Sequence, residues 1–450
     1  MIAVAAGMLA GCLPDRPYTT PSFPFQARYH GAKGAPVLLD NQAWWQGFGD
    51  PVLNQLIATA LQGNLSLAIA TARIREAEAA ASATPGLFSL NGSGQLWAAG
   101  AGQAAPSGQG SATLNLGWLL DPYGKNRAET RSAAAGIEVA EAELAAARLL
   151  VLNNLGSAYV DLRYRQTLLA LAEREMRGRR ETLAMTRTLL AAEDATKLDT
   201  TRTQARVAEL EAQLPGLRAA IRAQQNQIAV LVGVAPGSLG ISLDQQRGQP
   251  RPRLSPDVGI PADLLRNRPD IRIAERRYYI ALADLTKAEA ALYPQLSLAG
   301  AITLTGTEGG RSGSEYYFGP ALQLPSLPAR IGRAGVDGAR ARIVAAHGAW
   351  KSSVLSALLE VENALLDYQA ATQALRASDK AASLYRESLG LTRTVFAQGD
   401  ATLGDLIDAE QAVAAAERAQ AETLYQRGLS YVALNIRLGA GHGVTVAPVP

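Results

Sequence analysis

Cys12 is the one cysteine in a chain of 450 residues, and its neighbours give it a chemistry. A short apolar stretch from Met1 to Leu9 runs into the small residues Ala10 and Gly11 and then Cys12. Leu9-Ala10-Gly11-Cys12 has the pattern of a bacterial lipoprotein signal, in which the preceding peptide is removed and the thiol is acylated. No basic residue precedes the apolar stretch, so residues 1–11 read as the remnant of an export signal. Acyl chains on Cys12 would contribute about 0.8 kcal/mol per buried CH₂, enough to tether a protein that has no membrane helix. The competing reading is a cysteine that falls by chance at an apolar N-terminus.

A second candidate is a pair of acids. Asp405 and Asp408 stand three apart, so one helix face presents both carboxylates. Acids near a helix N-terminus also complement the helix dipole and simply face solvent, and the residues alone do not choose. Other chemistry finds little support. The three histidines, His30, His347 and His442, lie too far apart for a local ligand cluster, so no metal site is expected. One cysteine excludes a disulfide framework and a thiolate-rich zinc site. No Ser/His/Asp or Cys/His arrangement is identifiable. Gly309-Gly310-Arg311-Ser312-Gly313 is glycine-rich but lacks the strand and helix context of a phosphate loop. An enzyme is not expected, nor any cofactor beyond the lipid on Cys12.

Composition narrows the class further. Hydrophobic residues make up 48% and charged residues 18%, which excludes a disordered chain. Lys+Arg number 43 against 40 Asp+Glu, a net charge of +3, and this near balance argues against a nucleic-acid partner. No segment supplies 18 consecutive apolar residues, so no transmembrane helix is expected.

An internal duplication organises the chain. Asn64-Leu65-Ser66-Leu67-Ala68-Ile69-Ala70 pairs with Arg268-Pro269-Asp270-Ile271-Arg272-Ile273-Ala274. In the same order, Leu87-Phe88 pairs with Leu292-Tyr293, Leu198-Asp199 with Gly404-Asp405, and Leu231-Val232-Gly233 with Arg437-Leu438-Gly439. The order and nearly constant lag mark two copies, 50–244 and 256–440, joined by a Pro/Gly/Arg-rich linker at 245–255. Residues 12–49 form an N-terminal segment and 441–450 a tail.

Each copy reads helix, strand, loop, strand, then very long helix. Asp50-Pro51 is a helix start, an N-cap acid followed by proline at the first helical position. That helix is expected to continue past Ala68 and Ile69. Residues 86–121 are glycine-rich, and Ala112 to Trp118 alternates with the period of a strand. Gln295 to Leu304 and Tyr317 to Leu324 supply the strands of copy two, with loops expected at 103–110 and 306–314. Ile137, Ala140, Leu144, Ala147, Val151, Leu155, Ala158 and Leu162 then recur at spacings of 3 or 4, as do Val336 to Leu365 in copy two. Helices of ~60 residues, on the order of 90 Å, follow from that pattern. Pro215-Gly216 is expected to kink or interrupt the last helix of copy one.

Strands of ~10 residues match the length that crosses a bilayer when tilted. Four strands cannot close a barrel, and open edges cannot face lipid, because unpaired N–H and C=O groups cost several kcal/mol each. Membrane-crossing strands would therefore need several chains sharing one barrel. A pair of small hairpins packed on the helices in water is the other reading.

The chain resembles the TolC-like outer-membrane efflux proteins, specifically their lipoprotein branch. Trp44-Trp45-Gln46-Gly47-Phe48-Gly49-Asp50-Pro51, followed by Leu53, Leu56 and Asn64-Leu65, is similar to the opening signature of that family. Trp118-Leu119-Leu120-Asp121-Pro122-Tyr123-Gly124-Lys125 resembles its strand-to-helix corner, and Leu265 to Ile271 its second-repeat opening. Gly399 to Glu410 resembles the turn and helix start at its periplasmic tip. Leu13 after the cysteine resembles lipoproteins sent on to the outer membrane.

The resemblance implies a mainly α fold with membrane β structure. A homotrimer would pool four strands per chain into a 12-stranded barrel continued by a long α-helical barrel. It implies an exit duct in the outer membrane of a Gram-negative bacterium, in contact with outer-membrane lipid. Such a duct exports drugs or other small solutes with a periplasmic adaptor and an inner-membrane transporter of the resistance-nodulation-division type. It further implies that Asp405 and Asp408 line the periplasmic gate, three chains gathering six carboxylates, with a contribution from Asp199. Ala401 stands where relatives carry a basic residue, and Arg202 replaces the second acid in copy one. Glu193 stands where copy two has Gly399, so a differently shaped first tip turn is expected. Trp97, Trp118, Tyr316 and Tyr317 are candidates for an aromatic girdle. The alternatives are a duct for type I protein secretion and a lipid-anchored coiled-coil scaffold without a pore.

Overall fold

The structure, a computed structural model, describes residues 18–30, 43–84, 86–100, 107–245, 248–253, 259–310, 312–325 and 328–443. Cys12 and residues 1–11 lie outside the described residues, as do parts of the linker and tail. A 3₁₀ turn at Trp44–Phe48 leads into α1 (Pro51–Gly63) and α2 (Leu65–Ser82). Then come β1 (Phe88–Ala99), β2 (Ser107–Leu120), α3 (Lys125–Ala191) and α4 (Lys197–Val232). The same order returns as α5 (Leu264–Asn267), α6 (Pro269–Ala290), β3 (Gln295–Thr307), β4 (Gly313–Gln323), α7 (Ala329–Ala397) and α8 (Leu403–Arg437).

Asp50 caps α1 as its sequence requires, its Oδ1 accepting from the Val52 N–H at 2.9 Å, with Pro51 in the first turn. The expected continuous first helix is, however, broken at Asn64, whose backbone is extended. The Asn64 Oδ1 accepts from the N–H groups of Ser66 and Leu67, and its amide donates to the Leu231 carbonyl at 2.6 Å. One side chain thus caps the new helix and satisfies a carbonyl of α4, which offsets the helical bonds lost at the break. Arg268 breaks the second copy at the equivalent place, its Nη1 donating to the Arg437 carbonyl at 3.0 Å. Gly233 and Gly439 end α4 and α8 with φ of 96° and 80°, and a Cβ at either would collide with the Gly63 or Asn267 carbonyl.

The break also disposes of a membrane helix. Residues 51–82 are the one described stretch apolar and long enough to be weighed as a span. They form helices of only 13 and 18 residues, each short of the ~20 needed. Leu53, Leu56, Ile57 and Ala60 are buried in a protein core instead.

The chain forms two compact units. One comprises the described parts of 24–70, 144–269 and 354–450. Its core joins Trp44, Phe48, Leu53, Leu56 and Ile57 to Leu152, Leu155, Tyr159 and Tyr431. Each such aliphatic side chain contributes about 1.5–3 kcal/mol on full burial. The Tyr431 hydroxyl donates to the Trp44 carbonyl at 3.0 Å, so the Trp-Trp opening motif is a structural anchor. Helix α4 continues through Pro215, so of the expected kink or interruption the interruption does not occur. Leu214 and Leu217 on either side pack against the core, and that packing outweighs the ~3 kcal/mol a mid-helix proline costs.

The other unit comprises the described parts of 1–23, 71–143 and 270–353 and holds the sheet. Leu285 on α6 packs with Val336 and Ala339 on α7, and Arg276 pairs with Glu138 of α3 at 3.0 Å. Asp121 accepts from the Arg127 N–H at 3.0 Å, a structural role at the β2–α3 corner. Trp350 is buried and stacks with His347 at 5.8 Å, consistent with packing.

Candidate functional site

The four strands make one antiparallel sheet in the order β1-β2-β3-β4, so β1 and β4 are open edges. Register fixes which residues share a face, because directly paired residues point the same way. One row joins Phe88, Trp118 and Leu298; the next in step joins Leu90, Leu116, Gly300 and Phe318; a third joins Gly92, Leu114, Ile302 and Tyr316. The alternate rows join Asn91, Asn115, Ala301 and Tyr317, then Ser93, Thr113, Thr303 and Glu315. The sheet therefore has an apolar face and a polar face. Hydroxyls meet across the polar one, Thr113 Oγ1 lying 3.1 Å from Thr303 Oγ1.

The exposed face is the unexpected one for a protein in water. Leu96 is 91% exposed, Tyr316 79% and Phe318 60%, so nothing among the described residues covers the apolar side. Strands of 12, 14, 13 and 11 residues reach into the segments expected as loops, taking in 107–110, 306–307 and 313–314. The Glu308 N–H donates to the Gly108 carbonyl at 2.7 Å just beyond the last pairs, which explains the extension. Register also corrects the aromatic girdle: Trp118 and Tyr316 lie on the apolar face, but Trp97 and Tyr317 lie on the polar one.

The gate candidates sit at two helix turns of near-identical build. Asp194 N–H donates to the Leu189 carbonyl at 2.9 Å, and Asp400 N–H to the Val395 carbonyl at 3.1 Å, six-residue closures that end α3 and α7. Gly399 takes φ 87° and Glu193 takes φ 66°, so the two turns share a shape despite the substitution. A left-handed backbone costs a non-glycine residue roughly 1 kcal/mol, a strain the closing hydrogen bonds hold in place. Thr402 then caps α8, its hydroxyl donating to Asp405 Oδ2 at 2.6 Å while its Oγ1 accepts from the Asp405 N–H at 3.2 Å. Thr196 and Asp199 repeat this box on α4 with hydroxyl and amide bonds of 2.6 and 3.2 Å.

Asp405 and Asp199 are therefore cap residues. The threonine hydroxyl, and after it the threonine backbone N–H, hold both carboxyls below the usual carboxylate range. The pattern Thr-x-x-Asp in both copies was the available signal for this role. Asp408 is exposed and has another setting: an open groove of 590 Å³ bordered by Asp199, Arg202, Arg206, Leu403 and Ile407. Sequence reasoning missed a second cluster nearby on the chain. Arg179, its side chain 4% exposed, lies between Glu410 at 3.3 Å and Glu175 at 3.8 Å, and Thr182 also donates to Glu410. Arg393 pairs with Glu410 at 3.4 Å, Arg174 and Arg386 with Glu417, and Arg418 with Glu175. Only the i,i+4 pair Glu175–Arg179 was visible locally; its partner is 231 residues away.

Among the described residues, the geometry of the sheet and the turns brings together no nucleophile with a base. It offers a two-faced sheet with open edges, and long helices joined by capped turns.

Comparison with known proteins gives the same reading. Residues 56–234 and 260–440 each match the family described as outer membrane efflux protein. Nodulation protein T of Rhizobium leguminosarum bv. trifolii is 34% identical over 97% of this chain and 96% of its own length. The pyoverdine export outer membrane protein OpmQ of Pseudomonas putida is 28% identical over 90% of this chain and 89% of its own. The solved outer-membrane channel OprN superposes with a TM-score of 0.84 at 30% identity, covering 95% of this chain and 99% of that one. The fold is that of TolC-like channels, and this chain belongs to the outer membrane efflux protein family.

Proposed function

We infer that three copies of this chain close their strands into one 12-stranded barrel and form the exit duct of a tripartite efflux system. A periplasmic adaptor and an inner-membrane transporter of the resistance-nodulation-division type would deliver small solutes to it. The observation that carries this reading is the sheet itself, whose apolar face is uncovered and whose edges β1 and β4 lack a second neighbour. A bilayer satisfies the first demand, and only pairing between chains satisfies the second. Twelve strands with an apolar outside and a hydroxyl- and amide-lined inside make a water-filled passage. Such a duct performs no chemistry.

Residues 50–244 and 256–440 then act as two halves of one wall. Acyl chains on Cys12 supplement the barrel's hold on lipid. At the closed end Asp408, with its three-fold copies, supplies the carboxylates a solute meets, while Asp405 and Asp199 fix the turns that carry it. The name of OpmQ, an exporter of pyoverdine, favours a small solute over a secreted protein. Purified protein in a planar bilayer tests the reading. Cation-preferring channels support it, and the absence of conductance in protein with Asp408→Asn as well as the native chain would leave a tethered scaffold without a pore.

A further inference from the structure

The four strands together contain one charged residue, Glu315 on β4. Its row is Glu315, Thr303, Thr113 and Ser93, on the polar face. Tyr317 stands two residues along the same strand, hence on the same face and about 7 Å away. Its phenol is 62% exposed, its cross-strand neighbour is the small Ala301, and Asn115 lies one strand further. A large aromatic ring on this face, which apart from Glu315, Trp97 and Leu119 is built of Ser, Thr, Asn, Gln and small residues, contributes nothing to lipid contact, and Tyr317 is the ring two residues from the carboxylate. No ring-to-ring partner holds it among the described residues.

We propose that Glu315 and Tyr317 form a lumenal binding step for planar aromatic cations in transit through the barrel. The proposal rests on the duct reading, which turns the polar face inward. A cationic aromatic solute finds there a π face to stack on, a carboxylate within the span of a fused-ring molecule, and the Thr303 and Asn115 side chains for hydrogen bonds. An anionic solute of the same shape finds the ring but meets like charge. A ring with only hydroxyl neighbours would not discriminate. The Glu315 carboxylate, one per chain, gives the step its sign, since the four strands carry no other charge.

The test uses the intact detergent-purified assembly with ethidium as planar cation and anilinonaphthalene sulfonate as planar anion, followed by calorimetry and fluorescence. Ethidium should bind the more tightly. Glu315→Gln should weaken it about fivefold, and Tyr317→Leu roughly two- to fivefold. Tyr316→Leu, on the opposite face, should leave binding unchanged. Equal binding of ethidium to the native chain and to both Glu315→Gln and Tyr317→Leu overturns the proposal. Conductance of the same samples separates the two readings. A conducting assembly that binds ethidium no more tightly than anilinonaphthalene sulfonate defeats the binding step alone, whereas an assembly that never conducts defeats the duct.

Discussion

Glu410→Leu would expose the energetic core of the helix bundle near the capped turns. Arg179 carries a full charge on a side chain 4% exposed, and Glu410, 11% exposed, is its nearer carboxylate at 3.3 Å. Exposed ion pairs contribute about 0–1 kcal/mol, but removing one partner of a buried pair costs about 3–5 kcal/mol, because the remaining charge is stranded. Glu175 stays behind at 3.8 Å and is shared with Arg418. It compensates Arg179 in part, which puts the expected loss at the low end, about 3 kcal/mol. That corresponds to roughly a 150-fold rise in local opening. Amide hydrogen exchange of residues 411–417 on α8 reads this opening directly. Adding Arg179→Met to Glu410→Leu should restore most of the protection, since no buried charge is then left unpaired, Arg393, the other partner of Glu410, being exposed to water. A loss below about 1 kcal/mol in the single variant, with no recovery in the double, would show that water screens the cluster and that the burial argument is wrong.

Three further outcomes follow from the turns and breaks. Glu193→Gly should stabilise the α3–α4 turn by roughly 1 kcal/mol, measured as slower exchange of the Asp194 amide, because φ 66° suits glycine. Asn64→Ala should cost about 1–2 kcal/mol in denaturant unfolding, since it removes the cap of α2 and the donor to the Leu231 carbonyl. The native carboxyl of Asp405 titrates below its unfolded value, so its stabilisation of α8 is complete above the ordinary carboxylate range near 3.9. That contribution is lost as pH falls through the depressed native value; fraying at Thr402 to Leu406 should therefore grow in acid, and much less so in Asp405→Asn.

Much of the fold was legible because its signals are local. Asp50-Pro51 announces α1 through a cap and a fixed φ, and the alternation from Ala112 to Trp118 needs no partner to be seen. The missed features depend on distant atoms. Asn64 sits in an apolar helical run, and only the Leu231 carbonyl explains why the chain breaks there. Pro215 carries a strong breaker signal that is overruled by the packing of Leu214 and Leu217. The faces of Trp97 and Tyr317 follow from register, which no single strand encodes. At the candidate gate the acids were found, yet their division of labour was not. Asp405 is bonded to Thr402, and Asp408 is left to the groove.

The central claim is that separate chains complete one barrel, joining the β4 edge of one copy to the β1 edge of the next. Native mass spectrometry of the assembly released from lipid nanodiscs measures this most directly. The account predicts a single species of three chains that conducts when returned to a bilayer. A conducting single chain, or a stable lone chain recovered folded from the aqueous phase, would contradict it.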